Sequence, residues 1–197
     1  TSVNPDLQLN HTPGHVKHDG HNMTGFVIFL CSESVIFLAF FAGYAVLKLT
    51  APQWLPDGVA GLEVRMPLIN TVVLVSSSFM AYFAERYLHQ RNLWGFRAVW
   101  LLTMAMGSYF VYGQYVEWSE LTFSLGSGVF GGMFYLLTGF HGLHVITGIL
   151  LMGLMLARSF RPGNYDKGEM GVASVSLFWH FVDVIWILLF LLIYVWQ

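Results

Sequence analysis

The chain has 197 residues, of which 56% are hydrophobic and only 10% charged, against about 25% charged in an ordinary soluble domain. Its 17 Phe, nine Tyr and seven Trp exceed what a soluble globule of this size could hide, so composition excludes a soluble domain and points to a bilayer. A formal charge of -2 excludes a basic nucleic-acid surface, and the single Cys31 excludes an internal disulfide, a Cys-x-x-Cys redox pair and a Cys-rich zinc site.

Residues 1–22 form a polar tail, with no apolar run before a small-residue cleavage site, so no signal peptide is expected there. His11, His15, His18 and His21 are spaced four, three and three apart. Pro13, Gly14 and Gly20 oppose a stable helix, so this reads as a solvated tail. Residues 23–197 read as one transmembrane domain. A spanning helix needs about 20 mostly apolar residues, and five segments qualify: residues 24–49, 67–84, 98–116, 128–157 and 171–197.

The first span is interrupted only by Glu33 and by Lys48 near its end. The loop that follows is rich in turn formers: Pro52, Pro56, Asp57, Gly58 and Gly61. The second and third spans carry no charge; Ser76, Ser77 and Ser78 on the second let a neighbouring helix come close. Glu117 and Glu120, past the third span, read as interfacial and solvated. The fourth span holds His141 and His144, and at roughly 45 Å it must tilt or project. Its Gly128, Gly132, Gly139, Gly142 and Gly148 read as helix-packing positions. The fifth span holds His180 and Asp183. Trp54, Trp94, Trp118, Tyr194 and Trp196 sit at helix ends, where interfacial anchoring explains them.

Basic residues set the orientation. With the N-terminus inside, the inner side holds Lys17, Arg86, Arg91, Arg97, Arg158, Arg161 and Lys167, and the outer side only Lys48 and Arg65. Seven against two predicts N-inside and C-outside. The fold class expected is therefore an all-α membrane protein, a bundle of five transmembrane helices.

Glu33, His141, His144, His180 and Asp183 are ionisable groups in hydrocarbon, which normally face the bundle interior and have partners. Rise per residue puts Glu33 and His180 about 13 Å deep, Asp183 about 18 Å and His144 about 20 Å. Level pairings of Glu33 with His180 and of His144 with Asp183 follow, with swapped pairings open. Three readings compete. The groups satisfy one another and fix register; or they ligate a metal or a b-type haem; or Glu33 handles protons. Against metal, the Glu-x-x-His pairs of a carboxylate-bridged di-iron bundle are missing. Against a stand-alone proton carrier, there is no inverted repeat and no broken helix.

Several stretches resemble subunit III of the haem-copper terminal oxidases, the cytochrome c oxidase subunit 3 family. They are Cys31-Ser-Glu33 ahead of Phe37 to Phe41, Pro67-Leu-Ile-Asn-Thr71 with Ser76 and Ser77, and Thr138-Gly-Phe-His-Gly-Leu-His-Val145 followed by Gly148. Phe123, Ser124, Gly128, Val129 and Gly131, and Trp179-His-Phe-Val-Asp-Val-Ile-Trp186, complete the set. The resemblance covers residues 25–196 and is to the short, five-helix bacterial form.

It implies a non-catalytic subunit of a proton-translocating respiratory oxidase that reduces oxygen to water. Such a subunit stabilises the catalytic subunit and supports proton uptake. Haem and copper are then expected in the partner subunit I and none on this chain, with phospholipid an optional companion. Subunit I is the main partner and subunit II the second, in a hetero-oligomer of a bacterial plasma or internal respiratory membrane. Glu33 matches the family's buried carboxylate, and His144, His180 and Asp183 match its other buried polar positions. A quinol-oxidase subunit III is the alternative. A membrane metalloprotein and a stand-alone proton carrier are the remoter ones.

Overall fold

The computed structural model describes residues 19–197 apart from 57, 60, 164, 166–168 and 197, and the side chains from residue 23 onward. The tail histidines His11, His15 and His18 and the side chain of His21 lie outside the described residues. Five helices follow one another: α1 (Asp19–Thr50), α2 (Arg65–His89), α3 (Leu93–Glu120), α4 (Gly128–Ser159) and α5 (Met170–Phe190). A π-helical turn, Leu191–Val195, continues α5.

The runs with little or no charge mark the middles of these helices, and most of the helices extend beyond them. α2 starts two residues before Pro67, which sits in the first turn where its missing N–H costs nothing. It continues past Ala84 through Glu85 and Arg86 to His89, because water at the bundle end accepts charge. α3 is capped by Asn92, whose side chain accepts from the Gly95 N–H at 3.0 Å. Gly128 opens α4 with φ +85°, a conformation that favours glycine.

α1, α2, α4 and α5 are long and apolar enough to cross a membrane. α3 is equally long but mixes tyrosine, tryptophan and small polar residues with its aliphatics, so charge-free length alone marks it as a span. α2 packs on α3, α3 on α4, α4 on α5 and α5 back on α2, closing a four-helix ring. α1 lies outside that ring, against α4 and α5. Trp100, Trp179, Trp186, Phe110, Phe130 and Phe134 fill the ring and are buried.

Lipid offers no hydrophobic drive between helices, so close approach and buried hydrogen bonds hold the ring. α5 and α2 are joined by a ladder. Trp179 Nε1 donates to Ser77 Oγ at 2.9 Å and Trp186 Nε1 to Thr71 Oγ1 at 2.8 Å. Each hydroxyl in turn donates to a carbonyl of its own helix, Leu74 and Pro67. α3 and α4 are joined by Trp100 Nε1 donating to the Met152 carbonyl at 3.0 Å.

The bundle end that carries the α2–α3 and α4–α5 connections is tied by arginines. Arg91 reaches the Tyr165 carbonyl at 2.8 Å, and Arg97 holds the hydroxyl and carbonyl of Ser159 at 3.1 and 2.5 Å. At the opposite end Lys48 donates to the Trp196 carbonyl and lies 4.4 Å from that indole's centroid.

Candidate functional site

The five ionisable groups that the sequence places deep in the spans divide into a pair, a bridged group and a solitary ring. Glu33 on α1 meets His144 on α4, Oε2 to Nε2, at 3.1 Å. His144 Nδ1 lies 2.8 Å from the Phe140 carbonyl. A carbonyl only accepts, so Nδ1 carries a proton. Nε2 and the Glu33 carboxyl then share one further proton: a neutral acid beside a neutral imidazole, or a carboxylate beside an imidazolium. Either way the pair is neutral as a unit, which suits its setting. Phe37, Phe140 and Phe178 surround the imidazole, with centroids 5.1, 4.8 and 6.2 Å away.

His180 and Asp183 do not reach that pair by any hydrogen bond. They meet across Ser78 on α2, which donates to Asp183 Oδ2. With its only proton committed there, Ser78 Oγ accepts from His180 Nδ1 at 3.0 Å. The chain of bonds runs His180 to Ser78 to Asp183 and joins α5 to α2. The level pairings Glu33–His180 and His144–Asp183 are therefore corrected: depth alone ignores the direction in which each side chain leaves its helix. Glu33 and His144 meet where α1 packs on α4, whereas Asp183 meets α2 across the ring.

His141 stands apart. It shares a helix face with His144 but is fully buried in the ring, while His144 lies towards α1. Its imidazole lies against Trp186 (centroids 4.9 Å, 30° between planes) and against the edge of Phe110 (5.7 Å, 89°). Neither ring nitrogen has a hydrogen-bond partner among the described residues.

Sequence reasoning missed Ser78 as a bridge, having taken it as a small packing residue. It also took Glu117 as solvated and Tyr194 as an interfacial anchor. Tyr194 is 1% exposed and donates to Glu117 Oε1 at 2.7 Å, while Gln114 Nε2 donates to Oε2 at 2.9 Å. The i, i+3 spacing of Gln114 and Glu117 was the available signal.

The glycines also sort differently. A Cβ at Gly148 would lie 2.8 Å from the Trp179 indole, and one at Gly139 3.2 Å from that of Trp118. At Gly132 the nearest atom would be a backbone oxygen 3.7 Å away, and at Gly128 and Gly142 nothing lies within 4 Å. Helix packing thus explains Gly148 and Gly139 and not Gly142, while Gly128 serves backbone conformation. Gly107 on α3 joins them: a Cβ there would meet the other edge of Trp179 at 2.5 Å. One α5 indole is thereby seated between glycines of α3 and α4.

Among the described residues no three His, Cys, Asp or Glu come together as a metal site. His141, fully buried in the ring, is walled by Phe110 and Trp186. Neither of these two rings offers a second ligand beside His141 for a haem or a copper ion. The arrangement can fix helix register through hydrogen bonds, and it can keep one proton between Glu33 and His144.

The family model described as "Cytochrome c oxidase subunit III" matches residues 3–197. The chain is 41% identical over 199 residues to "Cytochrome c oxidase subunit 3" of Synechocystis sp., covering 98% of this chain and 85% of that protein. It is 42% identical over 180 residues to the protein of that name from Thermostichus vulcanus, covering 91% and 89%. With that from Struthio camelus it shares 34% over 196 residues, covering 96% and 74%.

Proposed function

The chain belongs to the cytochrome c oxidase subunit III family, and from that premise we propose that it is the non-catalytic, stabilising subunit of a terminal oxidase that reduces oxygen to water and translocates protons. Haem and copper then reside in the partner subunit I, the main contact, with subunit II the second. The side chains here act by bonding helices together, and phospholipid fills what remains between subunits. The complex sits in a bacterial energy-transducing membrane, and the excess of basic residues at one end supports an N-inside, C-outside orientation. The name shared by the relatives favours cytochrome c over quinol as electron donor.

The observation that carries the reading is the Glu33–His144 bond. It joins the peripheral α1 to the ring and leaves both side chains largely enclosed, at 17% and 12% exposure. A carboxyl held in this way braces a helix against a catalytic neighbour and stores one proton near the surface that neighbour covers.

The test is mild-detergent purification through a tag on this chain. A large subunit containing haem and copper is expected to co-purify, while the chain purified alone shows a flat visible spectrum and no stoichiometric iron. Haem bound to the isolated chain, or proton flux through it alone in liposomes, would overturn the reading.

A further inference from the structure

A cavity of about 280 Å³ lies between the start of α2 and the end of α3. Glu63, Glu117, Glu120, Asn70, Tyr109 and Tyr112 line it. Two independent observations distinguish it from an acidic patch of surface. The first is uncompensated charge. None of its three carboxylates has a lysine or arginine partner among the described residues. Among the described residues Glu117 is met by the neutral donors Gln114 and Tyr194; of the two cations at this end of the bundle, Lys48 is engaged with Trp196, and Arg65 is exposed at the start of α2 and forms no ion pair with the cavity's carboxylates.

The second is Asn70. It is 7% exposed and lines the cavity, yet its amide makes no hydrogen bond to any described residue. Its amide faces the cavity with no protein partner among the described residues, so both its N–H donors and its carbonyl acceptor are open to a ligand there. Gly113 supplies its space, since a Cβ there would overlap the amide.

We propose that this cavity receives the cationic end of a lysine or arginine side chain from a neighbouring polypeptide of the assembly. The chemistry matches such a side chain along its length. Its methylene stem would lie on the apolar wall at Met66 and Leu121. Its head would pair with Glu63 and Glu120 and donate to Asn70 Oδ1. Tyr109 and Tyr112, 49% and 65% exposed, add aromatic rings to the lining, and an aromatic ring attracts a cation placed over its face. A bare metal ion fits less well, because no three acidic or imidazole ligands converge among the described residues.

The inference rests on the reading of this chain as one subunit of a complex. The experiment therefore uses the intact complex, first shown to contain haem and copper. Benzoylphenylalanine is placed at the exposed position Tyr112, the sample is illuminated, and adducts are located by mass spectrometry. The expected product is a cross-link to a segment of another subunit that contains Lys or Arg. Its yield is expected to fall about fivefold when Glu63→Gln and Glu120→Gln are combined, the scale of a single ion pair. Both glutamates are exposed, so their neutralisation leaves folding intact. Cross-linking to lipid alone, no subunit adduct, an adduct on a segment lacking Lys and Arg, or a yield insensitive to the two substitutions would overturn the proposal. A preparation without haem and copper would sink the functional reading instead, so the two failures are distinguishable.

Discussion

At the residue scale, the Glu33–His144 pair makes a claim that substitutions can separate. Glu33→Ala removes the bond and leaves His144 partly buried with one nitrogen unpaired. If the pair braces the complex, Glu33→Ala shortens the time over which purified oxidase sustains oxygen consumption far more than it lowers the initial rate. Glu33→Gln keeps a donor to Nε2 and is expected to restore most of that lifetime. Oxygen-electrode traces followed from the first seconds to inactivation distinguish the two. An immediate and complete loss in an assembled Glu33→Gln complex would assign the carboxyl an obligatory proton-carrying role. His141 yields the opposite expectation. It makes no hydrogen bond to any described residue, so His141→Leu, apolar and similar in size, loses nothing polar. Complex yield and thermal stability should equal or exceed those of the parent. A marked drop would reveal an ordered water bound to the imidazole.

At the scale of helices, the seating of Trp179 decides how tightly α5 fits. Gly107 and Gly148 flank its ring and Ser77 accepts from its N–H. Trp179→Phe removes one membrane hydrogen bond, worth roughly 1 kcal/mol, whereas Gly148→Leu drives a side chain into the indole and should abolish assembly. Thermal unfolding in detergent is expected to rank them in that order. This seat also marks how far the sequence could be read. The helices were legible because charge is expensive in lipid, so long runs with little or no charge located all five. The two histidine motifs were legible as well, because their residue types and spacing are specific. Azimuth was not legible. A pattern of residues along one helix gives depth, but which neighbour His144 faces depends on how five helices are arranged around one another. Ser78 escaped notice for a related reason: a serine in a membrane helix satisfies itself on its own carbonyl, as Ser76 does with Val72, and nothing local says which serine does otherwise. Glu117 was misread because its partner Tyr194 is 77 residues distant.

At the scale of the whole molecule, α1 is the exposed element. Helices α2 to α5 close a ring, while α1 meets it through the Glu33–His144 bond, the contacts of Phe37 with Phe140 and Phe181, and Lys48 at one end. Its outward side presents Ile28, Val35, Leu38 and Leu49, each more than half exposed, a surface that lipid or another subunit must cover. Local stability should follow this geometry. In the isolated chain in detergent, α1 backbone amides should exchange with deuterium sooner than those of α5, and Glu33→Ala should accelerate α1 while leaving α5 unchanged. In the intact complex the difference between the helices should shrink, because a covered α1 opens only when a subunit leaves. Peptide-resolved exchange on both preparations measures each quantity. If α1 and α5 exchanged together in the isolated chain, the ring and its outer helix would form one cooperative unit, and the bracing assigned to Glu33 would have to be sought at the subunit contact instead.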